Sequence, residues 1–295
     1  MYANGFEKNQ LTWFDRDGRR LDALTEPGQF GEIAIAPDGA GVAMDARGPD
    51  GADISVLDLE RGVATRLTCN GDGRAPVWSP DGRRIVFARD GDLYLQDSRG
   101  ASDAQELYAS DERKTPNDWS SDGRFLLFTS TSLTTGFDVW VMPMSGDEGA
   151  PRPFVQTTGQ DGLASFPPDG RYVVYLSSES GQNEVYVRSF PDGEERWKVS
   201  QDGGVDPRWR RDGREILYLY GPRTLMGVDV TTNPVLELGT PRALFESTFV
   251  HAGSWDRNNA YDVTADGDRL LVTAPSEGDF PSLTVLLNRQ TLPEE

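Results

Sequence analysis

The chain has 295 residues, enough for one large β domain or two ordinary ones, and either would bury a sizeable core, so a peptide or a disulfide-stapled miniprotein is excluded. Asp and Glu outnumber Lys and Arg by 48 to 29, and the resulting net charge of −19 repels phosphate backbones and anionic membrane surfaces, so nucleic acid is not an expected partner. The 32 glycines and 19 prolines are spread between short apolar runs, and Cys69 is the sole cysteine, which excludes an intrachain disulfide and a thiolate metal site within one chain.

In chain order, residues 1–10 carry neither the basic nor the apolar stretch of a targeting segment, and no long apolar window follows, so this chain is expected to insert nothing into a membrane. Strand-like runs at Leu11 to Asp15 and Arg20 to Thr25 come first. A repeat then takes over: Asp-Gly at positions 38, 81, 122, 169, 212 and 266, with spacings of 43, 41, 47, 43 and 54. A period of this length signals a propeller or solenoid. Ahead of each Asp-Gly stands a large apolar residue, Ile35, Trp78, Trp119, Phe166, Trp209 or Val263, and just after it runs an apolar segment such as Ile85-Val86-Phe87 or Tyr172 to Tyr175. Each unit therefore opens strand, tight turn, strand. In Ser79-Pro80-Asp81-Gly82 the proline presets the first corner, the aspartate tolerates the second and the glycine takes the left-handed position, which makes these aspartates structural.

A third strand follows with alternating apolar positions at Ile54/Val56, Leu93/Leu95, Val139/Val141, Val185/Val187 and Met226/Val228, and a shorter fourth at Thr65 to Leu67, Glu106 to Tyr108, Pro153 to Val155, Arg196 to Val199 and Ala243 to Phe245. The expected fold is all-β: a six-bladed β-propeller of four-stranded antiparallel blades, with a seventh, partial blade as the alternative. No linker interrupts the series, so residues 1–295 read as a single propeller domain whose ring is closed by strands 11–25 joining 260–288, with Leu283 to Asn288 competing against Leu11 to Asp15 for one place. Trp78, Trp119, Phe166 and Trp209 are expected to be buried at equivalent sites between neighbouring sheets.

The run Trp78 to Phe87, WSPDGRRIVF, resembles the repeat of TolB-like propellers, and the Gly-His and Trp-Asp marks of WD40 repeats are missing from the corresponding places. Leu11 to Arg16, Tyr186 to Pro191, Pro207 to Gly213 and Tyr261 to Val263 resemble more narrowly the propeller that follows the membrane span of bacterial serine/threonine kinases. This resemblance implies a non-catalytic scaffold or sensor that binds a protein or peptide, in an extracytoplasmic setting. The kinase-linked propellers carry two more strands ahead of the segment matching Leu11 to Asp15, and ten residues here cannot supply them.

For chemistry, His251 is the only histidine and serves no Gly-x-Ser-x-Gly elbow; phosphate loops and histidine-based zinc motifs are missing too. Strand-initial carboxylates and amides converge on the channel: Glu32, Asn117, Asp118, Asp206 and Asp262, with Arg208 among them. They are the candidate binding residues at the channel mouth. No catalytic residue and no cofactor is expected. The alternative is a calcium site or a metal-dependent channel enzyme, a lactonase-like hydrolase or lyase, built on those carboxylates. Arg208 and Asp262 hold the same repeat position in adjacent blades and are expected to pair, because a buried charge needs compensation. The loops leading into the first strands, 70–74, 111–115, 160–162, 201–206 and 254–259, form an acidic rim suited to a basic protein or peptide, and the chain is expected to be monomeric.

Overall fold

The computed structural model describes residues 8–69, 71–145, 149–221, 223–246 and 261–276. Among these residues every regular element is a strand. Two strands open the chain, β1 (Asn9–Asp15) and β2 (Arg20–Ala23). Blade one follows with β3 (Phe30–Ile35), β4 (Gly41–Gly48), β5 (Gly51–Asp58) and β6 (Val63–Arg66), and blade two with β7 (Arg74–Trp78), β8 (Arg84–Arg89), β9 (Asp92–Asp97) and β10 (Gln105–Tyr108). Blade three holds β11 (Arg113–Trp119), β12 (Phe125–Ser132), β13 (Gly136–Pro143) and β14 (Arg152–Val155); blade four holds β15 (Asp161–Ser165), β16 (Tyr172–Ser177), β17 (Glu184–Ser189) and β18 (Arg196–Lys198). Blade five comprises β19 (Val205–Trp209), β20 (Glu215–Tyr220), β21 (Thr224–Thr231), β22 (Glu237–Leu238) and β23 (Arg242–Glu246), and β24 (Tyr261–Val263) and β25 (Arg269–Pro275) begin blade six.

The sheets number six, all antiparallel, and the sixth has the order β2-β1-β25-β24. The N-terminal strands thus complete the last blade: β1 runs in unbroken register against β25, from Asn9 opposite Pro275 to Asp15 opposite Arg269. Joining both chain ends in one sheet removes two edges that would otherwise template aggregation. Among the described residues no strand is left over for a seventh blade; Leu283 to Asn288 lie outside them. Blade five departs from the four-strand plan, because β21 pairs with both β22 and β23 and its outer strand is split in two.

The Asp-Gly turns account for the regularity. In all six units the aspartate carboxylate accepts the backbone N–H two residues on, at 2.9–3.1 Å. Gly82 sits at φ 69° and Gly213 at φ 74°, a backbone region that a side chain disfavours. The core is six clusters, one in each gap between neighbouring blades; Trp209, for example, packs with Tyr172, Val185 and Val228 between blades four and five. Trp119, Phe166 and Trp209 are buried as expected. Trp78 is not: it is only partly buried, because its ring edges the channel mouth while its Nε1–H donates to Ala34 O of blade one at 2.9 Å.

First strands of adjacent blades touch one another, β3 with β7, β7 with β11, β11 with β15, β15 with β19 and β24 with β3, so they line the axis. β3, β7, β11, β15 and β19 each carry a register break. Ala75, Leu163 and Asp206 stand in these bulges at φ 51–53°. A bulge bends its strand and re-aims the side chains beyond it. Here those side chains reach the channel.

Candidate functional site

The residue before each packed apolar anchor is Ala34, Val77, Asp118, Ser165, Arg208 or Asp262, and alternation along the strand keeps all of them except Val77 out of the clusters between blades. All six line one cavity of about 290 Å³. It opens on the side of the Asp-Gly turns, where Pro37, Pro80, Ser121 and Pro168 form the rim and Trp78, Trp119 and Trp209 part of the wall. Of the residues singled out from sequence, Asn117, Asp118, Arg208 and Asp262 are brought together here. Glu32 and Asp206 are not: both are buried in the bulges further along their strands, Asp206 with its carbonyl accepting the Tyr261 hydroxyl at 2.9 Å and Glu32 with its N–H on Asp45 Oδ2 at 3.1 Å.

The two cavity carboxylates act as ties between blades. Asp118 accepts the N–H of Trp119 through Oδ1 at 2.8 Å and that of Phe166, in the next blade, through Oδ2 at 2.7 Å. Asp262 repeats the arrangement in the opposite blade, with Val263 N–H at 2.8 Å and Ile35 N–H at 2.7 Å. Burial pushes the Asp118 carboxyl up to about 6, against the opposing pull of the Phe166 hydrogen bond, the Arg208 charge, the Trp119 N–H and the Arg211 charge.

The expected Arg208–Asp262 pair is not formed. Asp262 is turned toward blade one by its two backbone donors, and the cation nearest it is Arg211, with Nη2 at 4.0 Å. Arg211 spans from the blade-five turn to blade one, donating to Ile35 O and, at 3.2 Å, to Ala36 O. Arg210 is held by Asp212 and Glu215. No described carboxylate lies within 4.0 Å of Arg208, and its Nε is buried without a hydrogen-bond partner.

At the other end of the channel sequence reasoning missed a second repeat. Within the first three residues of the third strand, blades one to four carry an acid, Asp53, Asp92, Asp138 and Glu184, that grips the chain near the crossing to the next blade. Asp53 accepts Thr68 Oγ1–H at 2.8 Å and Gly71 N–H at 3.1 Å; Asp92 accepts Ser110 N–H at 3.3 Å and the buried Lys114 ammonium at 2.6 Å. Asp138 accepts the Gln156 amide at 3.0 Å. Glu184 accepts the Ser200 hydroxyl, Gly203 N–H at 3.1 Å and the Lys198 ammonium at 2.9 Å. Burial alone would raise the Asp53 and Glu184 carboxyls; hydrogen bonds outweigh it, led by those from Thr68 and Ser200, and both groups end below their ordinary range. Asn9 does the same for blade six, exchanging two amide hydrogen bonds with Phe30 at 2.7 and 2.8 Å. The signal was in the sequence: an acid directly before the alternating pairs at Ile54, Leu93, Val139 and Val185. Within the loops inferred to form an acidic rim, Asp72 pairs with Arg74 at 3.4 Å, Glu112 accepts the Ser130 hydroxyl at 2.6 Å and Asp161 accepts Thr157 N–H at 2.7 Å, which weakens the case of that rim as a surface for a basic partner. His251 and the 254–259 loop lie outside the described residues. Among those described, no group of three or more His, Cys, Asp or Glu is placed to hold a metal ion.

With this geometry in hand, comparison with solved structures places the chain on a putative TolB from Agrobacterium tumefaciens with a TM-score of 0.70 at 18% identity, covering 91% of this chain and 98% of that one. TolB from Acinetobacter baumannii aligns with a TM-score of 0.61 at 14% identity, over 81% of this chain and 67% of that one. The chain has the TolB-type propeller fold. That fold is shared more widely: an oligogalacturonate lyase in complex with manganese aligns with a TM-score of 0.58 at 16% identity, over 90% of this chain and 96% of that one. No family model matches the sequence. A probable dipeptidyl-peptidase 5 from Arthroderma benhamiae is 23% identical over 228 residues, 67% of this chain and 31% of that protein, so the TolB-type propeller spans under a third of that relative's length.

Proposed function

We propose that this chain is a non-catalytic TolB-type propeller that binds a protein or peptide segment at the turn-side mouth of its channel, as the scaffold or sensor portion of a bacterial envelope or kinase-linked protein. The observation that carries this reading is the cavity itself: three indoles and three turn prolines around a polar floor, on a rigid ring. Aromatic and arginine side chains at a concave mouth are the composition of interface hot spots. The oxygens of Asp118 and Asp262 already accept backbone N–H groups that knit the blades, which makes them poor candidates for an open metal site or a general base.

The test is selection of a displayed random-peptide library on the immobilised protein, followed by calorimetry on the enriched peptides. Ser121, an exposed rim residue, provides the control: Ser121→Trp should fill the mouth and abolish binding without touching the core. Peptides that bind Ser121→Trp as well as the parent would move the site elsewhere and reject this reading. The second reading, a metal-dependent channel enzyme of the lyase or hydrolase kind, draws on the likeness to the manganese-containing lyase. A ligand that binds only the folded state must raise the melting temperature by linkage, so a rise on adding manganese or calcium to chelator-treated protein would favour it.

A further inference from the structure

The unsatisfied polar atoms of this cavity are of one kind. Three buried side-chain atoms on its lining residues have no hydrogen-bond partner: Arg208 Nε, Trp209 Nε1 and Asn117 Nδ2. All three are donors. The contrast within each residue type is informative. Trp78 and Trp119, at the same repeat position as Trp209, donate their indole N–H to Ala34 O at 2.9 Å and to Gly123 O at 3.1 Å. Asn117 uses its oxygen on Thr129 at 2.8 Å and leaves its amide nitrogen over. Arg210 and Arg211 are engaged by carboxylates and carbonyls, whereas Arg208 makes no hydrogen bond or close ion pair with either and acts on Asp118 only through its charge. The acceptors of the same ring, Asp118 and Asp262, are satisfied by backbone. Buried polar groups in native proteins are nearly always paired, so a cluster of orphans of one sign calls for a missing partner of the other. The cavity's own carboxylates, Asp118 and Asp262, are taken up by backbone N–H groups, so what it lacks is a second, unoccupied acceptor of negative charge, and a guanidinium meets a carboxylate in a two-pronged geometry that no other acceptor matches as well.

The cavity also has an exit. A groove of about 610 Å³ shares Pro167, Pro168 and Arg210 with it and continues outward past Asp212 and Asp229 to Thr231 and Asn233, between blades four and five. A mouth joined to a groove on one side gives a chain end a place to sit and the residues before it a path outward.

Building on the peptide-binding reading above, we propose that the turn-side mouth recognises a peptide C-terminus: the terminal carboxylate sits on Arg208, with the Trp209 and Asn117 N–H groups as further donors, and the peptide leaves along the groove between blades four and five. Arg208 is a binding residue in this assignment, and no covalent step is involved.

The probes are the best peptides from the library selection, resynthesised with a free C-terminal carboxylate and as the C-terminal amide, and titrated calorimetrically into the parent, Arg208→Met and Arg208→Lys. The free acid should bind the parent at least tenfold more tightly than the amide. Arg208→Met should bring acid and amide to equal affinity near that of the amide, and Arg208→Lys, which keeps charge but not the fork, should fall between. Both substituted proteins must show the parent's cooperative melt; if Arg208→Met does not, Arg208→Lys and the acid–amide comparison on the parent decide alone. Acid and amide binding the parent equally would overturn the proposal while leaving peptide binding intact. Loss of affinity on replacing an internal Asp or Glu by its amide, with no effect at the terminus, would assign the carboxylate to a side chain and equally overturn it. Digalacturonate binding that depends on Arg208, with no peptide selected, would reject both this proposal and the reading it rests on.

Discussion

The two ends of the channel treat charge in opposite ways. On the loop side, the carboxylates near the start of the third strands are matched by hydroxyl, amide, backbone and ammonium donors, with Asp138 Oδ1 the one oxygen among them buried without a partner, and Glu184 is fully buried with its oxygens engaged by Ser200, Gly203 and Lys198. On the turn side, the donors outnumber what the protein offers them, and Arg208, Trp209 and Asn117 each keep an N–H group over. Both ends sit on the same blades with the same period. The difference is that the loop-side acids mostly fasten one blade to the next, whereas three turn-side donors find no partner in the protein, and the peptide-binding proposal assigns those donors to a ligand.

The largest expected effect tests the ring on which both ends depend. Deleting residues 8–25 removes β1 and β2, strips the outer half of blade six and bares the edge of β25. We expect no cooperative unfolding transition by calorimetry in the truncated chain, because β1 covers β25 along its whole length; an unchanged melt would show that the ring closes by other residues. Next comes the loop side. Glu184→Ala leaves Ser200, Gly203 and Lys198 without their acceptor and should cost about 3 kcal/mol in urea unfolding, with peptide affinity unchanged. A loss of affinity there would erase the division between the two ends.

How much of this was legible in the sequence follows from how local each feature is. The Asp-Gly turns are local, since proline, aspartate and glycine each satisfy their own corner, and blade count and strand order were readable from them. Ring closure by the N-terminal strands was readable too, from the surplus of strands at the start and the shortage at the end. The loop-side acids were visible as residues immediately before the third-strand pairs, but their role needs the crossover brought back against them. The Arg208–Asp262 expectation failed because repeat position fixes which blade a side chain stands on, not whether a backbone N–H of the next blade reaches it first; Ile35 N–H does so at 2.7 Å. Nothing in the sequence separates Trp209 from Trp119, whose indole partner is a turn carbonyl four residues on while the Trp209 indole has none.

A third prediction sets the two ends against each other by pH. The folded Asp118 carboxyl is raised from 3.8 to about 6, so between those values the folded protein holds a proton that the unfolded chain releases. The sign follows: its contribution to stability is greatest below the unfolded value and falls as pH rises through about 6, by at most about 2–3 kcal/mol at about 1.4 kcal/mol per pKa unit. Asp53 and Glu184, held below their ordinary values, act the other way: their stabilisation is present above the unfolded value and lost as pH falls through the folded one. In Asp118→Asn the decline in stability between about pH 4 and 6 should flatten while the acid-side loss remains. An unaltered profile would show that Asp118 ionises normally and that the cavity is wetter than its lining implies.

The smallest expected effect is the most telling in sign. Arg208 carries a charge into a partly dry cavity, with no described carboxylate within 4.0 Å and a buried Nε that donates to nothing. Its one favourable partner is the Asp118 carboxyl, at longer range, and partly desolvating a charge with so little compensation costs stability, so replacing it with an apolar side chain of similar length removes a penalty. Arg208→Met should therefore leave the urea midpoint unchanged or raise stability by up to about 1 kcal/mol, the opposite direction from Glu184→Ala, while Arg208→Met alone loses carboxylate binding. Gains of this kind are characteristic of binding sites, where the isolated protein tolerates an unfavourable group that a ligand later satisfies. A loss of more than about 2 kcal/mol would mean that Arg208 is held by the fold as Glu184 is, and would place it with the structural charges of the loop side.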